Sequence, residues 1–246
     1  MIQPTRRAFL GAAAVLPACA QSNGKRENRL AARPEGTAAS TPAGLHKLGI
    51  SADRDALLYI PESAKKFQRA PLVLSLHGAS RAADRGIELL RTLSDEHGFA
   101  LLAPASTETT WDLEGDPRHP DVAIVNHALA RTFELIAVDG KRIAMSGFSD
   151  GASYSLTLGL ANGDLFAAVF GFSPGFIGPA ERAGKPPVFI SHGTVDPVLP
   201  IEVCSRRIVP RLKAEGYAVT YREFEGKHTL PPEIASEAMR WFMEKG

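Results

Sequence analysis

The pentapeptide Gly147-Phe148-Ser149-Asp150-Gly151 has the clearest capacity for chemistry in this sequence. It has the form G-x-S-x-G, follows a short apolar run and leads into a segment with helical spacing, the context that sets a serine on a sharp strand-to-helix turn. Glycine two residues to either side removes Cβ atoms that would collide with neighbouring elements, and the serine itself takes a strained backbone. A serine hydroxyl is a weak nucleophile until a base removes its proton, and that base must be oriented by a carboxylate. Without such partners the same five residues would be an ordinary turn.

Downstream, Asp196 follows the apolar run 188–190 through Ser191-His192-Gly193-Thr194-Val195 and precedes Pro197. It is the candidate orienting acid, although Asp before Pro also caps turns. His228, in Glu225-Gly226-Lys227-His228-Thr229, is the candidate base; the order Ser, Asp, His is the one in which strand-turn-helix serine nucleophiles collect their partners. Among the seven histidines, His46 precedes the main strands, His97 and His127 fall in helical stretches, and His119 lies among prolines. His77 and His192 both stand in strand-end His-Gly pairs, where an imidazole braces a loop.

Acyl transfer also requires hydrogen-bond donors for the oxyanion. One is expected from the backbone of Asp150, the residue after the nucleophile. A second is expected from the loop Leu76-His77-Gly78-Ala79-Ser80, assigned to Ala79, with Gly78 or Ser80 as alternatives if the loop turns differently. Trp111, in a loop after another strand, is expected either to wall a substrate pocket or to pack within its loop, and Asp112 to cap a turn.

The elements that must position these groups alternate. Runs at 56–60, 72–76, 100–103, 142–145, 167–172 and 188–190 have the apolar character of strands buried on both faces, and 219–224 would add a last strand. Segments 84–96, 122–137, 151–160, 202–215 and 234–244 have a spacing near 3.6 and predict helices. Strand and helix in turn imply an α/β fold with a mostly parallel sheet, helices on both faces and chemistry beyond the carboxyl ends of the strands.

Taken together, Leu76-His77-Gly78, Pro104, Thr110-Trp111-Asp112, Gly147 to Ser153, Ser191 to Asp196 and Gly226-Lys227-His228 resemble the bacterial phospholipase/carboxylesterase family. They are also similar to the polyhydroxyalkanoate-depolymerase and feruloyl-esterase branch. The resemblance runs from about residue 45 onward and implies the α/β-hydrolase fold and hydrolysis of carboxylic esters. Many family members carry Gln after the nucleophile where this chain has Asp150, so side-chain contacts near the leaving group are expected to differ.

At the other end, Arg6-Arg7 precede an alanine-rich apolar stretch too short to span a bilayer, which resembles a twin-arginine export signal over residues 1–20. Leu16-Pro17-Ala18-Cys19 is similar to a lipobox, making Cys19 either a lipidation site and membrane tether or a bystander in a cleaved signal peptide. Residues 21–43 read as a flexible linker and 44–246 as the hydrolase domain. The expected location is the periplasm, the membrane surface as a lipoprotein, or the secreted fraction.

Lysine and arginine total 28 against 27 acids, which gives no reason to expect a nucleic-acid partner, and 246 residues suit one sizeable core. No H-E-x-x-H or cluster of His and Cys ligands occurs, so neither a metal nor an organic cofactor is expected, and a small-molecule ester is the expected partner. A serine peptidase and a non-catalytic, lipid-anchored binding protein on the same fold are the competing readings.

Overall fold

The structure, a computed structural model, describes residues 28–34, 38–79, 82–112 and 120–245. Among these, eight strands form one sheet: β1 Gly44–Lys47, β2 Leu57–Ile60, β3 Ala70–Leu76, β4 Ala100–Ala103, β5 Val138–Phe148, β6 Ala168–Phe172, β7 Val188–Gly193 and β8 Val219–Phe224. Their order is β1-β2-β4-β3-β5-β6-β7-β8; β2 runs antiparallel to β1 and to β4, and every other pairing is parallel. The helices are α1 Ala83–His97, α2 Pro120–Leu135, α3 Asp150–Ala161, α4 Ser205–Ala214 and α5 Pro232–Lys245. This is the α/β-hydrolase fold.

Alternation along the central strands explains the two helical layers. On β3, Leu72, Leu74 and Leu76 join a core with residues of α2, α3 and α4, while Val73 points the other way into a core with α1 and α5. A strand turns successive side chains to opposite faces, so a sheet covered on both sides must be apolar at every position. Every residue of α3 after Asp150 is buried, and the Ser149 turn is thereby anchored at the middle of the molecule.

Three boundaries differ from the sequence expectation for local reasons. β1 was not predicted because its four residues alternate between half-buried and exposed at the sheet edge. β5 extends to both sides of 142–145; its pairing with β3 slips between Ala70 and Leu72, and the polar stretch from Asp139 to Lys141 is accommodated in that irregularity. α4 starts three residues late because the chain first closes the turn bonds Val203 N–H to Pro200 O and Cys204 N–H to Ile201 O.

The expected linker at 21–43 requires a larger correction, because its described part is docked on the domain. Leu30 is 2% exposed. Its N–H donates to Asn162 Oδ1 at 2.8 Å, and Asn162 Nδ2 donates to Asn28 O at 2.8 Å. Arg29 grips both carboxylate oxygens of Asp164 at 2.9 and 2.8 Å, and Arg33 reaches the same carboxylate at 3.0 Å. Ala31 and Ala32 both donate to Asn126 Oδ1. Further on, Ala39 N–H and Thr41 Oγ1 donate to the last carbonyls of α2. A polar strap held by side chains thus replaces the coil that its composition suggested. The signal-like segment and Cys19 lie outside the described residues.

Candidate active site

Ser149 joins β5 to α3 with φ 57° and ψ −119°, a backbone that is costly for any residue with a side chain. The flanking glycines are required by space. A Cβ on Gly147 would lie 2.1 Å from Gly151 O, and one on Gly151 would lie 2.4 Å from His77 O and 2.6 Å from Leu76 O. The ends of β3 and β5 and the start of α3 therefore converge to a degree that only glycine permits. Ser149 N–H donates to Phe172 O at 2.9 Å, which ties the turn to β6.

His228, in the loop between β8 and α5, places Nε2 2.8 Å from Ser149 Oγ and Nδ1 2.6 Å from Asp196 Oδ2. Since a carboxylate only accepts, Nδ1 carries the proton and Nε2 is left to accept from the serine hydroxyl. The Phe148 ring packs against the imidazole at 4.8 Å between centroids. Asp196 makes two sets of contacts: Oδ2 faces His228, while Oδ1 closes its own turn by accepting from Val198 N–H at 2.8 Å and Leu199 N–H at 2.9 Å. Burial pushes the Asp196 carboxyl up, but the N–H groups of Leu199 and Val198 and the His228 ring outweigh it and hold it below the usual carboxylate range.

Behind Asp196 stands His192, fully buried at the end of β7. Its Nε2 lies 2.8 Å from Leu199 O and 3.3 Å from Asp196 Oδ2, and its Nδ1 lies 2.7 Å from Ser205 Oγ. Because a carbonyl only accepts, Nε2 carries the proton. Burial pushes the imidazole below its ordinary value.

Of the two expected oxyanion donors, Asp150 is the first residue of α3, so its N–H has no acceptor within the helix. Ala79 is exposed, borders the cavity over Ser149, and has no hydrogen-bond partner among the described residues. The alternative donor Gly78 also borders the cavity, and Ser80 lies outside the described residues.

Trp111 does not wall the pocket. It is 3% exposed and stacks on Tyr154 at 5.0 Å, and its Nε1–H donates to His77 O at 2.9 Å. Its backbone N–H donates to Asp150 Oδ2 at 2.8 Å, so the carboxylate that replaces the family's Gln is turned inward to a loop. Burial raises the Asp150 carboxyl above its usual range, partly countered by that bond. Asp112 pairs with Asp121 at the start of α2, nine residues on, and not with a local turn: its Oδ2 accepts from Asp121 N–H and its own N–H donates to Asp121 Oδ2.

A cavity of about 620 Å³ opens over Ser149 and His228. Phe148, Leu89, Leu230 and Val198 supply apolar wall, and Arg85 and Glu88, bonded to each other at 2.9 Å, stand at its side. Sequence reading missed these wall residues. Arg85, Glu88 and Leu89 carried only the signal of an amphipathic helix, and Leu230 could have been suspected from its place two residues after His228.

The Phospholipase/Carboxylesterase family pattern matches residues 122–244, half of the chain, and contains Ser149, Asp196 and His228. The chain belongs to the phospholipase/carboxylesterase family. Within this family setting, acyl-protein thioesterase 1 of Gibberella zeae is 29% identical over 107 residues, or 39% of this chain and 45% of that protein. The match thus spans less than half of that relative's length. Esterase PE8 superposes with a TM-score of 0.63 at 23% identity, over 85% of this chain and 99% of that one. A phospholipase/carboxylesterase from Dyadobacter fermentans gives 0.59 at 21%, over 85% and 100%. Acetyl xylan esterase from Aspergillus awamori gives 0.63 at 16%, over 81% and 99%. At these identities the structural likeness is one of fold.

Proposed function

We propose that this protein is a serine esterase that hydrolyses small carboxylic esters through an acyl-enzyme. The observation that carries this reading is the continuous hydrogen-bonded chain from Asp196 through His228 to Ser149 Oγ on a strained turn. Ser149 Oγ attacks the ester carbonyl as its proton passes to His228 Nε2, and the oxyanion is held by the N–H groups of Asp150 and Ala79. Collapse expels the alkoxide, which takes the proton from His228. Water then repeats the sequence on the acyl-enzyme and releases the acid and free Ser149. The apolar wall of Phe148, Leu89, Leu230 and Val198, beside a charge-balanced Arg85–Glu88 pair, favours a neutral substrate.

Fluorophosphonate labelling and p-nitrophenyl acetate hydrolysis test the assignment. Wild type is expected to label and turn over, and Ser149→Ala to do neither; equal labelling of both proteins would refute it. The likeness to an acyl-protein thioesterase supports a second substrate class, since an acyl-enzyme forms equally from a thioester. Comparing kcat/KM for an oxygen ester and a thioester of one acyl group ranks the two. Export by the twin-arginine route with Cys19 as a tether completes the reading. Loss of the protein from the membrane fraction in Cys19→Ser is the expected outcome, and unchanged retention would exclude the lipid anchor.

A further inference from the structure

A chain of contacts outside the Ser149, His228 and Asp196 set joins the two oxyanion donors. It starts at Asp150, whose Oδ2 accepts from Trp111 N–H at 2.8 Å. The same tryptophan donates its indole N–H to His77 O at 2.9 Å and packs against the His77 ring, tilted by 33° at 4.8 Å between centroids. His77 Nε2 accepts from Ser106 N–H at 3.1 Å, so in the neutral ring the proton is on Nδ1, which donates to Gly78 O at 2.5 Å. Burial favours that neutral ring. Among the described residues no peptide bond is cis, so the Ala79 N–H points opposite to the Gly78 carbonyl, away from the imidazole. Gly78 and Ala79 both border the cavity over Ser149.

We infer that Trp111 and His77 are positioning residues that fix the Gly78–Ala79 peptide with its N–H turned to the substrate, and that Asp150 registers this peptide against the nucleophile turn. The inference rests on the esterase reading and extends it. Neither side chain needs to touch substrate. If the Gly78 carbonyl were released, the peptide plane could rotate and the second donor would be lost, which in acyl transfer costs about 10²–10³ in kcat.

Three full-length variants test it, with rates expressed per fluorophosphonate-labelled site so that misfolded protein does not count. Trp111→Phe keeps the ring stack and removes the indole donor; kcat per site is expected to fall about 10-fold with KM within about 3-fold. His77→Ala is expected to fall about 100-fold. His77→Asn, whose amide can replace the Nδ1 donor, is expected to recover to within about 10-fold of wild type. Affinity for a trifluoromethyl ketone, which forms the oxyanion, should weaken in parallel, and affinity for the product acid should not. Unchanged kcat per site in both Trp111→Phe and His77→Ala, with wild type active, would overturn the brace alone. A wild type that neither labels nor turns over would overturn the esterase reading and the brace with it.

Discussion

His77-Gly78 at the end of β3 and His192-Gly193 at the end of β7 are the same dipeptide in equivalent settings, and they hold opposite tautomers. His77 donates from Nδ1 and accepts at Nε2; His192 donates from Nε2 and takes the Ser205 hydroxyl at Nδ1. The partner decides in each case, because backbone N–H must meet a bare nitrogen and a carbonyl must meet N–H. One pair therefore sets a peptide beside the nucleophile, and the other props the loop that carries the acid. A sequence motif identifies a brace, and its neighbours determine what is braced.

The largest test of this division is Asp196→Asn. Replacing the carboxylate with an amide that can donate to His228 Nδ1 inverts the His228 tautomer and should reduce kcat by about 10⁴ with the fold retained. Retention of more than a tenth of the activity would remove Asp196 from the acid side altogether. Next comes His192→Leu, which strands the half-buried Leu199 carbonyl and the buried Ser205 hydroxyl. A loss of about 1–3 kcal/mol per unpaired group is expected in denaturant melts, together with a roughly 10-fold lower kcat as the Asp196 loop relaxes. His192→Gln, which can donate to Leu199, should restore most of both; equal damage in the two variants would argue that bulk, not the hydrogen bond, matters.

A smaller effect separates the pairs by pH. Burial lowers the values of both His77 and His192 from 6.5, so the folded state prefers them neutral. Their contribution is complete above about pH 6.5 and is lost as pH falls from there through their folded values, because the unfolded chain binds the protons first. The melting temperature should decline over that window, and less steeply in His192→Gln; identical slopes would show that His192 does not titrate as described. The smallest effect is expected far from both pairs. Asp164→Ala should cost below about 1 kcal/mol, since its carboxylate is 41% exposed, and should leave kcat unchanged.

The sheet was legible because strands buried on both faces leave continuous apolar runs, as at Leu72 to Leu76, where no competing signal exists. The half-exposed β1 leaves no such run. At the site, Ser149, Asp196 and His228 could be singled out by motif context, strand-end position and chain order, and the structure brings them within hydrogen-bond reach. Trp111 could not be resolved, because a loop tryptophan beside a cleft points inward or outward according to partners that the local sequence does not contain. Here these are His77, Asp150 and Tyr154, some 34 to 43 residues distant. The docked segment 28–34 was illegible for the same reason on a larger scale: its composition is that of a coil, and its partners Asn126, Asn162 and Asp164 lie 94 to 135 residues on.

That strap also gives the molecule a polarity. It is fastened at the carboxyl end of α3, whereas Ser149 sits at the amino end of the same helix, and twelve residues at about 1.5 Å each separate the two by roughly 18 Å. Asn28, held by Asn162, therefore stands at the end of α3 remote from the cleft. A bead, an electrode or a fused carrier attached through Asn28 would hold the protein with the Ser149 cleft turned outward.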